Sequence, residues 1–196
     1  VEYAHSIGKK VYITINILAH EDDLLDAVRV LHIVPVAITY EYDPCDYLKA
    51  QEFQLKRDDP QWKKSKQDDI QSMVVGMKGY KGKVVFKICP ELNDIFDTYP
   101  WIDDRNAQVT CICDTVDRVL HSNMQLFPIN FIAYNLRFET DKYADRYSKE
   151  DEAKVLKYLN GQLAKIQIPN KDEAFLWNCL LTMYSNAVVN YENVKF

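Results

Sequence analysis

The sequence predicts an α/β fold, with a small mixed or parallel sheet around a strand at residues 33–40 and a mainly helical C-terminal half. The segment Ile33–Tyr40 is nearly continuous in apolar residues, which is typical of a strand covered by helices on both faces. Strand-like and helix-like patterns alternate before it, and from about Asp103 onward the apolar spacing is helical. We therefore expect an α/β part over residues 1–100 and a helical part over residues 101–196, packed together as one domain.

The first elements predict a strand–helix–strand unit. Lys10–Asn16 is rich in β-branched residues and favours a strand. The acidic residues of His20–Asp23 favour a helix start, and apolar side chains at helical spacing continue to Leu31. If the two strands are parallel, the crossover between them is right-handed. Pro35 lacks an amide donor, so it is expected near the start of its strand or beside a bulge.

The later elements follow from capping residues and from breaks at glycine and proline. Asp43-Pro44 favours a helix to about Leu55. Ser65 followed by Asp68 resembles an N-cap for a helix to about Met77. The remaining predicted elements are a strand at Lys83–Cys89 after Gly79 and Gly82, helices near 104–125, 129–137, 149–165 and 172–190, and a turn at Pro169-Asn170.

Composition excludes several classes of function. The chain has 196 residues and a formal net charge of −5, so nothing in its overall charge attracts nucleic acid, and we expect no nucleic-acid partner. Its five cysteines are odd in number and scattered, which favours a reducing, cytoplasmic compartment. Cys111-Ile112-Cys113 lacks the spacing of a zinc site, so we expect no metal and no cofactor. The apolar runs are too short to cross a bilayer, so any membrane contact is expected to be peripheral.

The sequence predicts no catalytic residue. Imidazole is the usual general base near neutral pH. None of the four histidines, however, is spaced from a nucleophile or a second metal ligand as in a known catalytic or metal-binding motif. No Gly-rich phosphate loop, Gly-x-Ser-x-Gly elbow or His-Glu-x-x-His pair occurs. We therefore expect that the chain does not contain a complete active site of its own.

A basic loop is the most suggestive binding feature. Cations are closely spaced around Trp62, where they could hold a phosphate or rest on an anionic membrane surface. The alternative is a solvated loop whose charge is balanced by neighbouring aspartates. The cations are Lys56, Arg57, Lys63, Lys64 and Lys66, and the aspartates are Asp58, Asp59, Asp68 and Asp69.

The segment from about Leu31 to Asn190 resembles the C-terminal portion of a bacterial glycerolipid acyltransferase related to the lysophosphatidic acid acyltransferase family. The block Ile33–Ile38 is similar to the last of the four acyltransferase motifs of that family. The other similar blocks are Tyr40–Lys49, Lys64–Asp69, Gly79–Gly82 and Leu126–Tyr134.

The resemblance implies transfer of a fatty acyl group from acyl-CoA or acyl carrier protein to the hydroxyl of a glycerophosphate acceptor, at the inner face of the membrane. The family's catalytic His, with an Asp four residues further on, and its Glu-Gly-x-x-Arg stretch are absent here. The family places them before the strand of Pro35, where this chain has only Val1–Val30. The expected substrate-binding residues are Pro35, Lys56, Arg57, Lys63 and Lys64.

Residues 1–30 resemble one βα turn of the collagenase-like peptidase family, whose fold is a parallel barrel. The similarity lies in Glu2–His5, Gly8–Asn16 and His20–Asp22. Two alternatives to the acyltransferase function therefore stay open: a non-catalytic binding or scaffold module, and a peptidase-family fragment. An exposed apolar face on helices 149–165 and 172–190 would favour the scaffold module.

Overall fold

A computed structural model describes residues 24–97 and 103–194. The strand predicted at Lys10–Asn16 and the helix start predicted at His20–Asp23 lie outside them. The described elements are α1 (Leu24–Leu31), β1 (Val36–Tyr40), α2 (Asp46–Asp58), α3 (Lys66–Lys78), β2 (Val84–Ile88), α4 (Leu92–Phe96), α5 (Arg105–Asn123), α6 (Pro128–Phe138), a 3-10 turn (Ala144–Arg146), α7 (Lys149–Lys165) and α8 (Glu173–Asn193).

The two described strands pair as an antiparallel sheet. The Cys89 amide donates to the Pro35 carbonyl across 2.9 Å, and the Glu41 amide donates to the Lys83 carbonyl across 2.9 Å. From the first hydrogen bond to the second, the residue number rises from Pro35 to Glu41 on one strand and falls from Cys89 to Lys83 on the other. Antiparallel pairing requires this order. The chain thus combines helices with a small sheet and has the predicted helical C-terminal half. Pro35 directly precedes β1, as predicted.

The prediction that this strand is covered on both faces is wrong for the described residues. Along β1, Ala37 and Thr39 are buried, whereas Val36, Ile38 and Tyr40 are between 44% and 49% exposed. Successive side chains of a strand point to opposite faces, so only one face of β1 is buried. Because both faces carry mostly apolar residues, the alternation cannot be seen in the sequence.

The described residues form two compact units, and the division between them falls within β1 and within β2. The first unit contains α1, α4 and α5. Helix α1 places its buried side chains against α4 and α5, around the fully buried Phe96 and Leu92. Ile112, between the two cysteines of α5, is buried in the same core. This segment of α5 therefore packs as an apolar helix face.

The second unit covers residues 39–84 and 125–193 and contains α2, α3, α6, α7 and α8. Helix α6 packs along α8, and α2 packs against both α7 and α8. Ile132, Leu159, Leu176 and Leu180 are fully buried among these helices. Each such side chain stabilises the fold by roughly 1.5–3 kcal/mol relative to exposure.

The helix limits predicted from caps and breaks are confirmed to within a few residues. Ser65 and Ser148 each accept a hydrogen bond from the amide of the aspartate three residues on, and the aspartate accepts one back from the serine amide. These capping boxes set the starts of α3 and α7. The turn before α8 contains Asn170 with a φ of 52°.

Candidate functional site

The second unit contains an open pocket of about 530 Å³, which we call the α2–α3 pocket. Its walls come from α2, from α3, from the loop between them, and from the C-terminal end of α7. The residues that line it are Tyr47, Leu48, Gln51, Glu52, Leu55, Trp62, Lys64, Asp68, Gln71, Ser72, Lys165 and Gln167. A volume of this size is within the range of small-molecule sites.

The spacing of the lining residues on α2 places them on one face of that helix. Tyr47, Gln51 and Leu55 recur four residues apart, and Leu48 and Glu52 lie beside them. Residues four apart lie above one another on an α-helix. The buried Gln54 faces away from this wall: its Nε2 donates to the Asn170 carbonyl across 2.9 Å. Helix α2 is therefore held by the unit on one side and lines the pocket on another.

A tight turn positions the aromatic wall of the pocket. The Trp62 amide donates to the Asp59 carbonyl across 2.9 Å, and the Gln61 amide donates to Asp59 Oδ1 across 2.9 Å. Aspartate side chains commonly stabilise turns in this way. The chain then passes Lys64 and enters α3 at the Ser65 cap. The turn and the cap together fix both ends of the loop.

Two lysines bring positive charge to the pocket, and two carboxylates accompany them. Lys64 Nζ lies 3.2 Å from Asp69 Oδ1 and 3.8 Å from Glu52 Oε2. Lys165 Nζ lies 5.2 Å from the ring centroid of Tyr47, within the range of a cation–π contact. It also donates to Gln162 Oε1. Because Glu52 and Asp68 also line the pocket, its lining is mixed in charge rather than uniformly cationic.

The structure places the predicted basic cluster in several environments. Lys56 Nζ pairs with Glu52 Oε1 at 2.7 Å. Arg57 pairs with Asp58 and with Asp172, each at 2.8 Å, and its guanidinium lies 4.1 Å from the ring centroid of Phe175. Neither of these cations lines the pocket.

Lys64, by contrast, lines the pocket, whereas Lys63 is exposed and forms no ion pair with any described residue. Pro35 precedes β1 in the first unit, where its carbonyl accepts the hydrogen bond from Cys89. The fold thus brings Lys64 together with Lys165, a residue that the sequence did not suggest.

A buried polar cluster lies at the start of α2 and is centred on Asp46. The Tyr184 hydroxyl donates to Asp46 Oδ2 across 2.7 Å, and the Tyr158 hydroxyl donates to the same oxygen across 2.9 Å. The Tyr47 amide and the Gln162 side-chain amide donate to Asp46 Oδ1. We call these side chains, with Asp46, the Asp46 cluster.

Burial raises the pKa of Asp46, and the donated hydrogen bonds from Tyr184, Tyr158 and Tyr47 act in the opposite direction without cancelling it. The side chain is fully buried. Burial and the adjacent Asp46 raise the pKa of both tyrosine hydroxyls, which therefore stay protonated as donors. The cluster anchors α2 to α7 and α8 and so fixes one wall of the pocket.

Sequence reasoning missed the Asp46 cluster, although one signal was present. On α7, Gln162 occupies the buried face defined by Val155 and Leu159. A polar residue on the apolar face of a helix needs a buried partner. That requirement indicates a partner but does not identify it as Asp46.

None of the residues that line the α2–α3 pocket, all of which are described, is a histidine. The Ser72 hydroxyl donates to the Asp68 carbonyl across 2.8 Å, so no base activates it. Over the described ranges, no group of three potential metal ligands comes together. Within the same ranges, no helix has the length and apolarity needed to cross a membrane. The arrangement is suited to binding a polar ligand.

Comparison with known proteins yields no match to a family model, to a curated protein or to a solved structure.

Proposed function

We propose that this chain is the acceptor-binding part of an acyltransferase of the glycerolipid type, and that the α2–α3 pocket holds the glycerophosphate acceptor. The reaction served is transfer of a fatty acyl group from acyl-CoA or acyl carrier protein to the acceptor hydroxyl. The observation that carries the proposal is that two lysines from distant segments, Lys64 and Lys165, line the same pocket as Trp62.

The phosphate, the glycerol hydroxyl and the acyl chain of a lysophosphatidate each have a counterpart among the residues that line the pocket. Lysine ammonium groups bind phosphate oxygens through charge-assisted hydrogen bonds. Glu52 and Gln51 can accept and donate hydrogen bonds to a glycerol hydroxyl. Trp62 and Leu55 offer apolar surface to the first methylenes of an acyl chain. The balanced charge of the lining favours a ligand that carries both an anion and hydroxyl groups over a bare anion.

The proposed role is binding, because the pocket lacks the groups that the chemistry needs. Acyl transfer to a hydroxyl requires a base to take its proton. No imidazole lines the pocket, and Ser72 is bonded to a backbone carbonyl. The catalytic imidazole therefore has to come from outside this pocket, and the described chain by itself is expected to bind without turnover.

Isothermal titration calorimetry with a short-chain lysophosphatidate tests the proposal. Lys64→Gln and Lys165→Gln should each weaken binding by about 10- to 100-fold, since each removes a charge-assisted hydrogen bond. Lys63→Gln is the matched control, because Lys63 lies outside the lining and should leave the affinity unchanged. The corresponding monoacylglycerol, which lacks the phosphate, should bind more weakly.

Two outcomes would overturn parts of this proposal. Equal binding by the wild type and by both pocket variants would remove the pocket from acceptor binding. Steady release of free CoA from acyl-CoA in the presence of lysophosphatidate would show that the chain is catalytically complete, contrary to our expectation.

The scaffold alternative lacks the feature that would favour it. Along α7 and α8, both of which are described throughout, no large apolar side chain is exposed. The peptidase alternative depends on a strand at Lys10–Asn16, outside the described residues, and stays a prediction. Neither alternative is supported by a specific contact.

A further inference from the structure

Helix α3 presents four of its large apolar residues to solvent. Ile70, Met73 and Met77 are 55%, 65% and 70% exposed, and Val74 beside them is also exposed. The helix buries no residue at all. We call these four side chains the α3 stripe. Contiguous exposed apolar side chains on a helix mark a surface that binds a membrane or another protein.

The stripe faces away from the α2–α3 pocket. At 100° per residue, the stripe is centred about 160° from the face that carries Asp68, Gln71 and Ser72. Those three polar side chains line the pocket. Apart from the half-buried Val75, helix α3 therefore has the reverse of the usual arrangement, with its polar face toward the unit and its apolar face toward solvent.

Three lysines surround the stripe. Lys66 continues its line by one turn at the N-terminal end, Lys78 adjoins Met77 at the other end, and Lys63 lies just before the helix. None of the three forms an ion pair with a described residue. The nearby acids are already engaged: Asp68 accepts from Ser65, and Asp69 pairs with Lys64.

We propose that the α3 stripe and these three lysines dock the chain on an anionic lipid bilayer, with α3 lying in the plane of the interface. An interfacial helix buries its apolar face about 5–10 Å into the headgroup region, and lysines at its ends reach the lipid phosphates. This docking surface is separate from the pocket, so the inference stands independently of the proposed ligand.

Charge favours a bilayer over a second copy of the chain. In a two-fold pairing of stripes with antiparallel helices, Lys66 of one copy faces Lys78 of the other, so like charges meet at both ends. An anionic surface instead attracts all three lysines together. The observed arrangement of charge thus fits lipid and opposes self-association.

Vesicle flotation with the full chain is the test. The wild type should float with phosphatidylcholine vesicles that contain about 30% phosphatidylglycerol, and binding should fall as salt rises from about 0.1 to 0.5 M. Met73→Gln with Met77→Gln should weaken binding at least tenfold. Because both methionines are exposed and glutamine favours helices, the fold should be retained. Circular dichroism checks that point.

The cationic part of the surface has its own variant and control. Lys63→Gln, Lys66→Gln and Lys78→Gln together should weaken binding about a hundredfold, at roughly fivefold for each lysine. The matched control replaces three exposed lysines of α7 with glutamine and has the same net charge. It should bind nearly as the wild type does. The control lysines are Lys149, Lys154 and Lys157.

Three results would overturn the inference: no flotation of the folded wild type, flotation unchanged by the methionine variant, or equal losses in both lysine variants. A concentration-dependent dimer in analytical ultracentrifugation that the methionine variant abolishes would assign the stripe to a second copy instead. The methionine variant should still bind soluble lysophosphatidate, whereas Lys64→Gln and Lys165→Gln should still float. Failure of docking and failure of the pocket are therefore distinguishable.

Discussion

The Tyr184 hydroxyl of α8 donates a hydrogen bond of 2.7 Å to the fully buried Asp46 carboxylate at the first residue of α2. The same hydroxyl accepts a hydrogen bond from the Asp43 amide across 3.0 Å. One side chain thus serves a buried acid and a backbone donor at the N-terminal end of α2. Because α2 forms a wall of the α2–α3 pocket, this contact bears on the pocket as well as on stability.

Tyr184→Phe should lower the free energy of unfolding by about 1–3 kcal/mol, because it removes one donor from Asp46 and one acceptor from the Asp43 amide. Urea denaturation followed by circular dichroism measures the change. Tyr80→Phe is the matched control: Tyr80 is 72% exposed, and the change should cost under about 0.5 kcal/mol. Equal losses in the two variants would contradict a special role for the Tyr184 hydroxyl.

Asp46→Asn should change how stability depends on pH. The pKa of Asp46 is raised in the folded state. The stabilisation that Asp46 gives the folded state is therefore fully present below the pKa it has in the unfolded chain, and it is lost as pH rises through the pKa it has in the folded chain. The Asn variant does not titrate there. Relative to that of the variant, the unfolding free energy of the wild type should therefore fall by about 1.4 kcal/mol for each pH unit between the two pKa values.

The measurement for this prediction is the difference between the two unfolding free energies, taken at several pH values upward from about 3.9. Four other aspartates have lowered pKa values, which change stability with pH in the opposite direction. Their effect is the same in both proteins, so it cancels in the difference. These residues are Asp58, Asp68, Asp151 and Asp172. Parallel curves for wild type and variant would show that Asp46 has an ordinary pKa.

The features that the sequence predicted correctly depend on short-range patterns. The capping pair Ser65 and Asp68 is local, and so are the breaks that end the helices. Pro35 was placed correctly because its missing donor excludes the interior of a ladder. Each of these requirements involves residues only a few positions apart.

The features that were missed depend on contacts between distant segments. Arg57 belongs to the basic loop in the sequence, yet its guanidinium pairs with Asp172 and lies on Phe175. Lys165 reaches the pocket only because α7 packs against α2. Neither placement leaves a periodic signal in the sequence. Tertiary packing thus decides which cations of the basic loop line the pocket.

Gly82→Ala should cost about 1–3 kcal/mol of unfolding free energy. Gly82 has a φ of +62°, and an added Cβ would lie 2.6 Å from Glu41 Oε2 and 2.7 Å from Tyr42 Cδ2. Glu41 Oε2 also accepts from the Lys83 amide across 2.9 Å, so moving it has its own cost.

Gly161→Ala on α7 makes the matched comparison for this change. A Cβ at Gly161 meets nothing within 4 Å, so the substitution should stabilise the helix by about 0.5–1 kcal/mol. Thermal unfolding of the two variants should shift in opposite directions. A rise in the unfolding temperature of Gly82→Ala would show that neither the left-handed conformation nor the close contacts at Gly82 restrict that position.

Ser65→Ala should open α3 locally. The Ser65 hydroxyl caps the helix by accepting from the Asp68 amide, and loss of such a cap costs about 0.5–2 kcal/mol. Helix α3 buries no side chain, so little tertiary packing compensates for the loss. Amide hydrogen exchange across 66–78 should therefore speed up by about two- to thirtyfold, the range that this cost implies.

Ser148→Ala removes an identical capping box from α7, which is packed through Val155, Leu159 and Gln162. The interior amides of α7 should exchange no faster than global unfolding allows, because local opening of this helix would expose its buried face. Equal local exchange in the two helices would mean that packing, and not the cap, holds α3 in place. Because α3 lines the pocket on one face and carries the apolar stripe on the other, Ser65→Ala should also weaken both lysophosphatidate binding and vesicle flotation.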